Sequence, residues 1–230
     1  MEPTMVDHPV FFRPAEVRAR VTTLFLWASI VSSGLLTAVA IWDFYLWGNV
    51  GTGIDAWLRD VLPTDHISLL LGRLDFAIFL GTAIAFLLWF NRVAANLPAL
   101  GIRDARWSPG WAVAWWFVPV MSFFRPYQVA TDIWQASDPA ATAAHWRTRP
   151  VKPLLNRWWG YFVASIVVEW MAFCAWTRID DETGALLNQG VSLLDGAAAV
   201  LKLFGAWLAI RVIAEIQHRQ NNRARLVAFT

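Results

Sequence analysis

Cysteine is almost absent: a single residue, Cys174, stands in an apolar run of this 230-residue chain. One thiol excludes an intrachain disulfide and any multi-cysteine metal site. Its surroundings mark it as a small hydrophobe. Histidine is also scarce. His8, His66, His145 and His218 are scattered without paired ligand spacing, so no metal or haem site is expected. No nucleophile elbow or metalloprotease motif occurs. The GTG at 51–53 lacks a phosphate-loop lysine and a strand context, and reads as a turn. Charge is sparse too, at 16% of residues, and 19 Lys plus Arg against 17 Asp plus Glu leave a net +2. That balance gives no field for nucleic acid. With no internal repeat, low-complexity tract or Gly/Ser linker, the chain reads as one membrane domain over 1–230.

Apolar residues are abundant, at 57%, with 16 tryptophans and 15 phenylalanines. Soluble domains usually hold about 45 to 50%. A hydrocarbon core about 30 Å thick needs roughly 20 apolar residues as helix. Four segments reach that length, at about 21–47, 67–90, 158–176 and 191–213. The expected fold is therefore an all-α integral membrane protein with four transmembrane helices. A cleaved signal peptide is the competing reading of the N-terminus, since Ala38-Val39-Ala40 imitates a cleavage site. The apolar run continues to Trp47, beyond the usual ~7 to 15 residue signal core, so the first segment is expected to be retained as a span.

Lysine and arginine set the orientation, because they are enriched in short cytoplasmic segments. Arg13, Arg18 and Arg20 precede the first span, eight basic residues lie in 91–157, and Arg211, Arg219, Arg223 and Arg225 close the chain. The 48–66 and 177–190 loops carry one each, Arg59 and Arg178. Both termini and the long loop are therefore expected in the cytoplasm. The run WSPGWAVAWWFVPVMSFFRPYQ at 107–128 could be a fifth span. If it crossed, four basic loop residues and the arginine-rich tail would change sides, and Pro119 removes a backbone donor in its middle. It reads instead as an interfacial or re-entrant, Trp- and Pro-rich helix-break-helix element over 108–137.

The succession LLWFNRVAANLPALG, SPGWAVAWWFVPV, RPYQVATDIWQAS and KPLLNRWWGYF resembles the bacterial multi-pass membrane family known as domain of unknown function 4328. Asn96, Pro109, Trp116, Pro119, Pro126, Trp134, Trp158 and Trp159 carry the likeness. At Ser122 the family more often has Asn. The resemblance implies a bacterial inner-membrane protein and supplies no activity.

Ionisable residues inside spans are costly and point to function by default. Asp43, Arg73, Asp75, Glu169, Asp195 and Lys202 are such residues, all in the outer half of the bilayer or near its midplane. They are expected to form an outward-facing polar cluster, with Glu169 paired to Lys202 or Arg73; the alternative is structural pairs that fix helix register. Small residues at four-residue spacing, Ser29-Ser33-Thr37, Gly81-Ala85 and Gly205-Ala209, mark close helix contacts. The tail RQNNRARL is expected to be a solvated stop-transfer flank, or else a lipid-attracting one. Lacking a catalytic constellation or cofactor motif, the chain is expected to be a non-catalytic accessory or assembly partner of another membrane component, in the bilayer or as a homo-oligomer. A small transporter or ligand-binding protein that uses the polar cluster is the alternative.

Overall fold

The computed structural model describes residues 11–49, 51, 64–178 and 184–228. Among these the chain is helical and has no strand. The helices are α1 (Glu16–Gly48), α2 (Thr64–Ala95), α3 (Pro109–Ala114), α4 (Arg125–Ala136), α5 (Pro153–Trp176) and α6 (Gly184–Ala228), with short 3₁₀ turns at Pro98–Leu100, Met121–Phe123 and Trp146–Thr148. Glu16 in the first turn of α1 faces the positive end of the helix dipole. Among the described residues four helices, α1, α2, α5 and α6, are long and apolar enough to cross a membrane. Even α5, with 24 residues, reaches about 36 Å. Leu24, Val31, Leu70, Ile84 and Trp170 are exposed along them, as helices surrounded by lipid require.

The 107–128 run forms no fifth spanning helix. Its helical pieces hold six and twelve residues, and twelve residues reach only about 18 Å. Ser108 caps α3, its Oγ accepting the Trp111 N–H at 3.4 Å, and Pro109 occupies the first turn, where a missing N–H costs nothing. The break that follows is sharp. Val120 has φ 64° and ψ −48°, and the Met121 N–H donates to the Pro119 carbonyl at 2.7 Å. This is a γ-turn with positive φ, a strained conformation for a β-branched residue, costing about 1–3 kcal/mol.

Packing groups the chain into two compact units, one of residues 1–20, 86–152 and 213–230, the other of 21–85 and 153–212. In the second unit the small residues mark close contacts. A Cβ on Gly81 would collide with the Phe25 ring, and one on Gly196 would meet the Ala40 Cβ at 3.3 Å. Ser29 and Thr82 hydroxyls lie 3.2 Å apart. Ser33, Ala85 and Ala209 are buried. Trp158 is buried here and meets Trp159 edge-on at 5.6 Å.

The first unit has an aromatic core with a polar centre. Trp89, Phe90, Trp134 and Trp146 are fully buried, and Trp116 stands edge-on to Phe86 at 5.4 Å. Asn96 holds the Arg13 backbone from both sides: its Oδ1 accepts the Arg13 N–H at 3.2 Å and its Nδ2 donates to the Arg13 carbonyl at 3.0 Å. The same Nδ2 donates to Gln220 Oε1 at 3.3 Å, while Gln220 Nε2 donates to the Val93 carbonyl at 2.9 Å and to Ser137 Oγ at 3.2 Å. Arg223 donates to the carbonyls of Leu100, Ala136 and Asp138 at 2.9, 2.6 and 3.0 Å. Arg219 lies over the Trp134 ring at 4.3 Å. These contacts correct the expectation for the RQNNRARL tail: Arg219, Gln220 and Arg223 are buried, and only Arg225 of its arginines is exposed. The carbonyls that end the 3₁₀ turn and α4 have no partners within those helices, and a long donor from α6 satisfies them.

Candidate functional site: a polar cavity among the long helices

Helical spacing decides which charged side chains can meet. On α6, Ser192, Asp195, Ala199 and Lys202 fall within an arc of about 80°. On α2, Ser68 and Asp75 are two turns apart and share a face, as Leu36, Ala40 and Asp43 do on α1. Glu169 comes from α5. These residues, with Val39 and Ala198, line a cavity of about 270 Å³ within the second unit.

Lys202 holds its centre. Its Nζ lies 3.6 Å from Asp75 Oδ2 and forms an ion pair with Glu169 Oε1. Ser32, almost fully buried, donates its hydroxyl to Asp75 Oδ1 at 2.7 Å. Asp75 is thus held by an ammonium and a hydroxyl from two different helices. Asp43 and Asp195 complete the wall, so four carboxylates and one ammonium line the cavity. Ser68 Oγ is buried in the same wall with no hydrogen-bond partner among the described residues. Ser192 is buried and donates to the Asn188 carbonyl at 2.9 Å.

The structure brings together Asp43, Asp75, Glu169, Asp195 and Lys202, and leaves out Arg73. Arg73 is exposed and lines a separate shallow depression with Ser68, Leu69, Gly72 and Phe76. The reason is geometric: two residues along a helix are about 200° apart, so Arg73 cannot share a face with Asp75. Ser32, Ser68 and Ser192 belong to the site and were not singled out from the sequence. The i, i+3 spacing of Ser192 to Asp195 was the signal for one of them. Ser32 carries no comparable mark.

The residues that carry the family resemblance lie elsewhere and act as scaffold. Asn96, Pro109, Trp116, Pro119, Pro126 and Trp134 fall in the first unit, Trp158 and Trp159 in the second. The Pro109 carbonyl accepts from Asn91 Nδ2 at 2.8 Å, and Pro126 is buried in the first turn of α4. Four of the eight basic residues of the long loop are ion-paired: Arg147 with Asp104 at 2.6 Å, Arg149 with Asp138 at 3.2 Å, Lys152 with Glu215 at 2.7 Å and Arg106 with Asp132 at 3.6 Å. Hydrogen bonds from the Trp146 indole and the Arg147 guanidinium hold the Asp104 carboxyl below its ordinary range. Burial pushes Asp132 up, against the opposing pull of Arg106 and Arg147. Among the described residues no group of three His, Cys, Asp or Glu side chains is placed to hold a metal ion.

Four long apolar helices around a cavity lined by acidic and basic side chains define an all-α integral membrane protein. The chain belongs to the family described as a domain of unknown function, number 4328, whose model matches residues 59–218. That stretch includes Asp75, Glu169, Asp195 and Lys202 and leaves Asp43 outside it. No curated protein and no solved structure matches the chain.

Proposed function

We propose that this protein binds a small cationic solute in the cavity among its long helices, as a carrier or a membrane-embedded receptor does. One observation carries the reading: four carboxylates and one ammonium line a cavity of about 270 Å³ among four helices long and apolar enough to cross a membrane. Asp75, Glu169 and Asp195 face one ammonium, so with all four ionised they carry two negative charges in excess. A carboxylate without a full counter-charge is unfavourable in a partly desolvated site between membrane-length helices. A cation in the cavity, or protons on the carboxylates, removes that cost. The volume equals about nine waters at ~30 Å³ each, so it suits a compact ammonium compound better than a drug-sized ligand. Lys202 acts as the resident counter-ion, shared by Asp75 and Glu169 when no solute is present, and it leaves that trio one negative charge in excess. The Lys/Arg asymmetry supports a bacterial inner-membrane arrangement with both termini in the cytoplasm and the cavity nearer the outer face.

The test is a thermal shift of the purified protein with ethylammonium and ethylenediammonium, against sodium and acetate at equal ionic strength. The ammonium ions are expected to raise the melting temperature of the wild type and not that of an Asp75→Asn, Asp195→Asn double variant. Equal shifts in both proteins would refute the proposal. The reading of the chain as an accessory partner draws support from the exposed apolar face at 117–124, and the depth measurement described next separates that use of the face from contact with lipid.

A further inference from the structure

We propose that residues 117–124 form a wedge inserted into one leaflet of the bilayer, with Arg125 at its headgroup edge. Phe117, Val120, Met121, Phe123 and Phe124 are all exposed, Phe117 and Val120 at 71% and 64%. A cluster of that size and polarity facing water is unusual for a protein surface. Val120 is the informative residue. A glycine would take φ 64° without strain, yet the chain places a branched apolar side chain there and points it outward. Water rewards neither choice, whereas hydrocarbon rewards the apolar side chain.

Most of the backbone of the segment is satisfied internally. The N–H groups of Phe117 and of 121–124 donate to carbonyls between Ala114 and Met121, while those of Val118 and Val120 have no backbone acceptor among the described residues, so the demand for water that non-helical chain carries is reduced but not removed. Between Trp107 and Thr131 there is no carboxylate and one cation, Arg125. The Arg125 guanidinium lies over the rings of Trp107 and Trp115 at 5.3 and 5.5 Å and donates through Nη1 to Gln128 Oε1 at 2.9 Å. Tryptophan and arginine side by side at the border of an apolar surface suit the headgroup zone, where phosphate takes the remaining guanidinium donors. The chain is already bound to the bilayer: four times it passes between the unit holding this segment and the unit of spanning helices. A bilayer is therefore the surface at hand, and the inference does not depend on the cavity proposal.

Nitroxide depth measurements test it. Phe117→Cys, Met121→Cys and Phe124→Cys, each in a Cys174→Ser background, are spin-labelled and reconstituted in vesicles of phosphatidylcholine and phosphatidylglycerol. Leu70→Cys serves as the lipid-facing reference and Ala144→Cys as the water-facing one, both positions being exposed. All three sites are expected to favour oxygen over a nickel chelate as collision partner, severalfold more than Ala144→Cys and close to Leu70→Cys. Oxygen-to-nickel ratios equal to those of Ala144→Cys would overturn the wedge by placing it in water. Shielding from both reagents would overturn it by placing protein, a second copy or a partner, over this face.

Discussion

Arg223→Met tests the least expected feature of the fold, a buried arginine that ties the ends of a 3₁₀ turn and of α4 together. Methionine keeps the apolar stem and removes only the guanidinium. Arg223 is 4% exposed and donates to the carbonyls of Leu100, Ala136 and Asp138. A hydrogen bond from a charged donor contributes about 1.5–3 kcal/mol net, but three bonds from one group are not additive, since the loop can relax and admit water. Removing the donor leaves buried carbonyls unpaired, at about 1–3 kcal/mol for each that stays desolvated and so about 3–5 kcal/mol together. At ~2–4 °C per kcal/mol for a chain of this size, the melting temperature in detergent should fall by about 6–20 °C. Proteolysis should find the 137–152 loop sooner. Arg225→Met, at an exposed arginine, is the control and should change stability by less than ~0.5 kcal/mol. If Arg223→Met melts and digests like the wild type, the three carbonyls have other partners and the polar-core account fails.

Other consequences are as direct. Lys202→Met should destabilise by about 1–3 kcal/mol, discounted because Lys202 and Glu169 are partly exposed, and adding Glu169→Gln should recover part of the loss; purely additive effects in a double-mutant cycle would contradict the pairing. Gly196→Leu should cost about 1–3 kcal/mol by driving α6 against Ala40, and an unchanged melting temperature would deny that contact. Asp104 has its folded pKa depressed by Trp146 and Arg147, so its contribution is present above the unfolded value near ~3.9 and is lost as pH falls through the folded value. The wild type should therefore exceed Asp104→Asn in stability at neutral pH and converge with it in acid. Asp132 has the opposite sign: its folded pKa is raised by burial, so its contribution is lost as pH rises through that value, and Asp132→Asn should improve relative to the wild type above it. A thiol at Asn49 or Thr177 should react with an impermeant reagent from outside, and one at exposed Ala144 should not; Ser137 would be an unsuitable reporter, since it is fully buried.

Much of this architecture can be read from local pattern. Length and hydropathy mark the four long helices, and Pro119 with the short runs beside it announces a break in place of a fifth span. The site is partly legible for the same reason: Ser192, Asp195 and Lys202 share a helical face whatever packs on it. Arg73 joins Asp75 only if sequence nearness is mistaken for spatial nearness, because positions two apart on a helix diverge. The burial of Gln220 and Arg223 has no local signature. Their acceptors at Val93, Leu100 and Ala136 lie more than eighty residues away, and an arginine-rich tail looks the same whether it is solvated or enclosed. Val120 is similarly silent, since positive φ is announced by glycine or asparagine and neither stands there.

The claim that matters most is that the cavity is open to solvent and selects cations. Val39→Cys, in a Cys174→Ser background, places one half-exposed thiol in its wall. Its reaction rates with a trimethylammonium-bearing and a sulfonate-bearing thiosulfonate reagent can be compared directly. The cationic reagent should react at least about tenfold faster, as expected for a cleft lined by excess negative charge, and Asp43→Asn with Asp195→Asn should narrow the difference. Equal rates, a faster anionic reagent, or no reaction with either would contradict it.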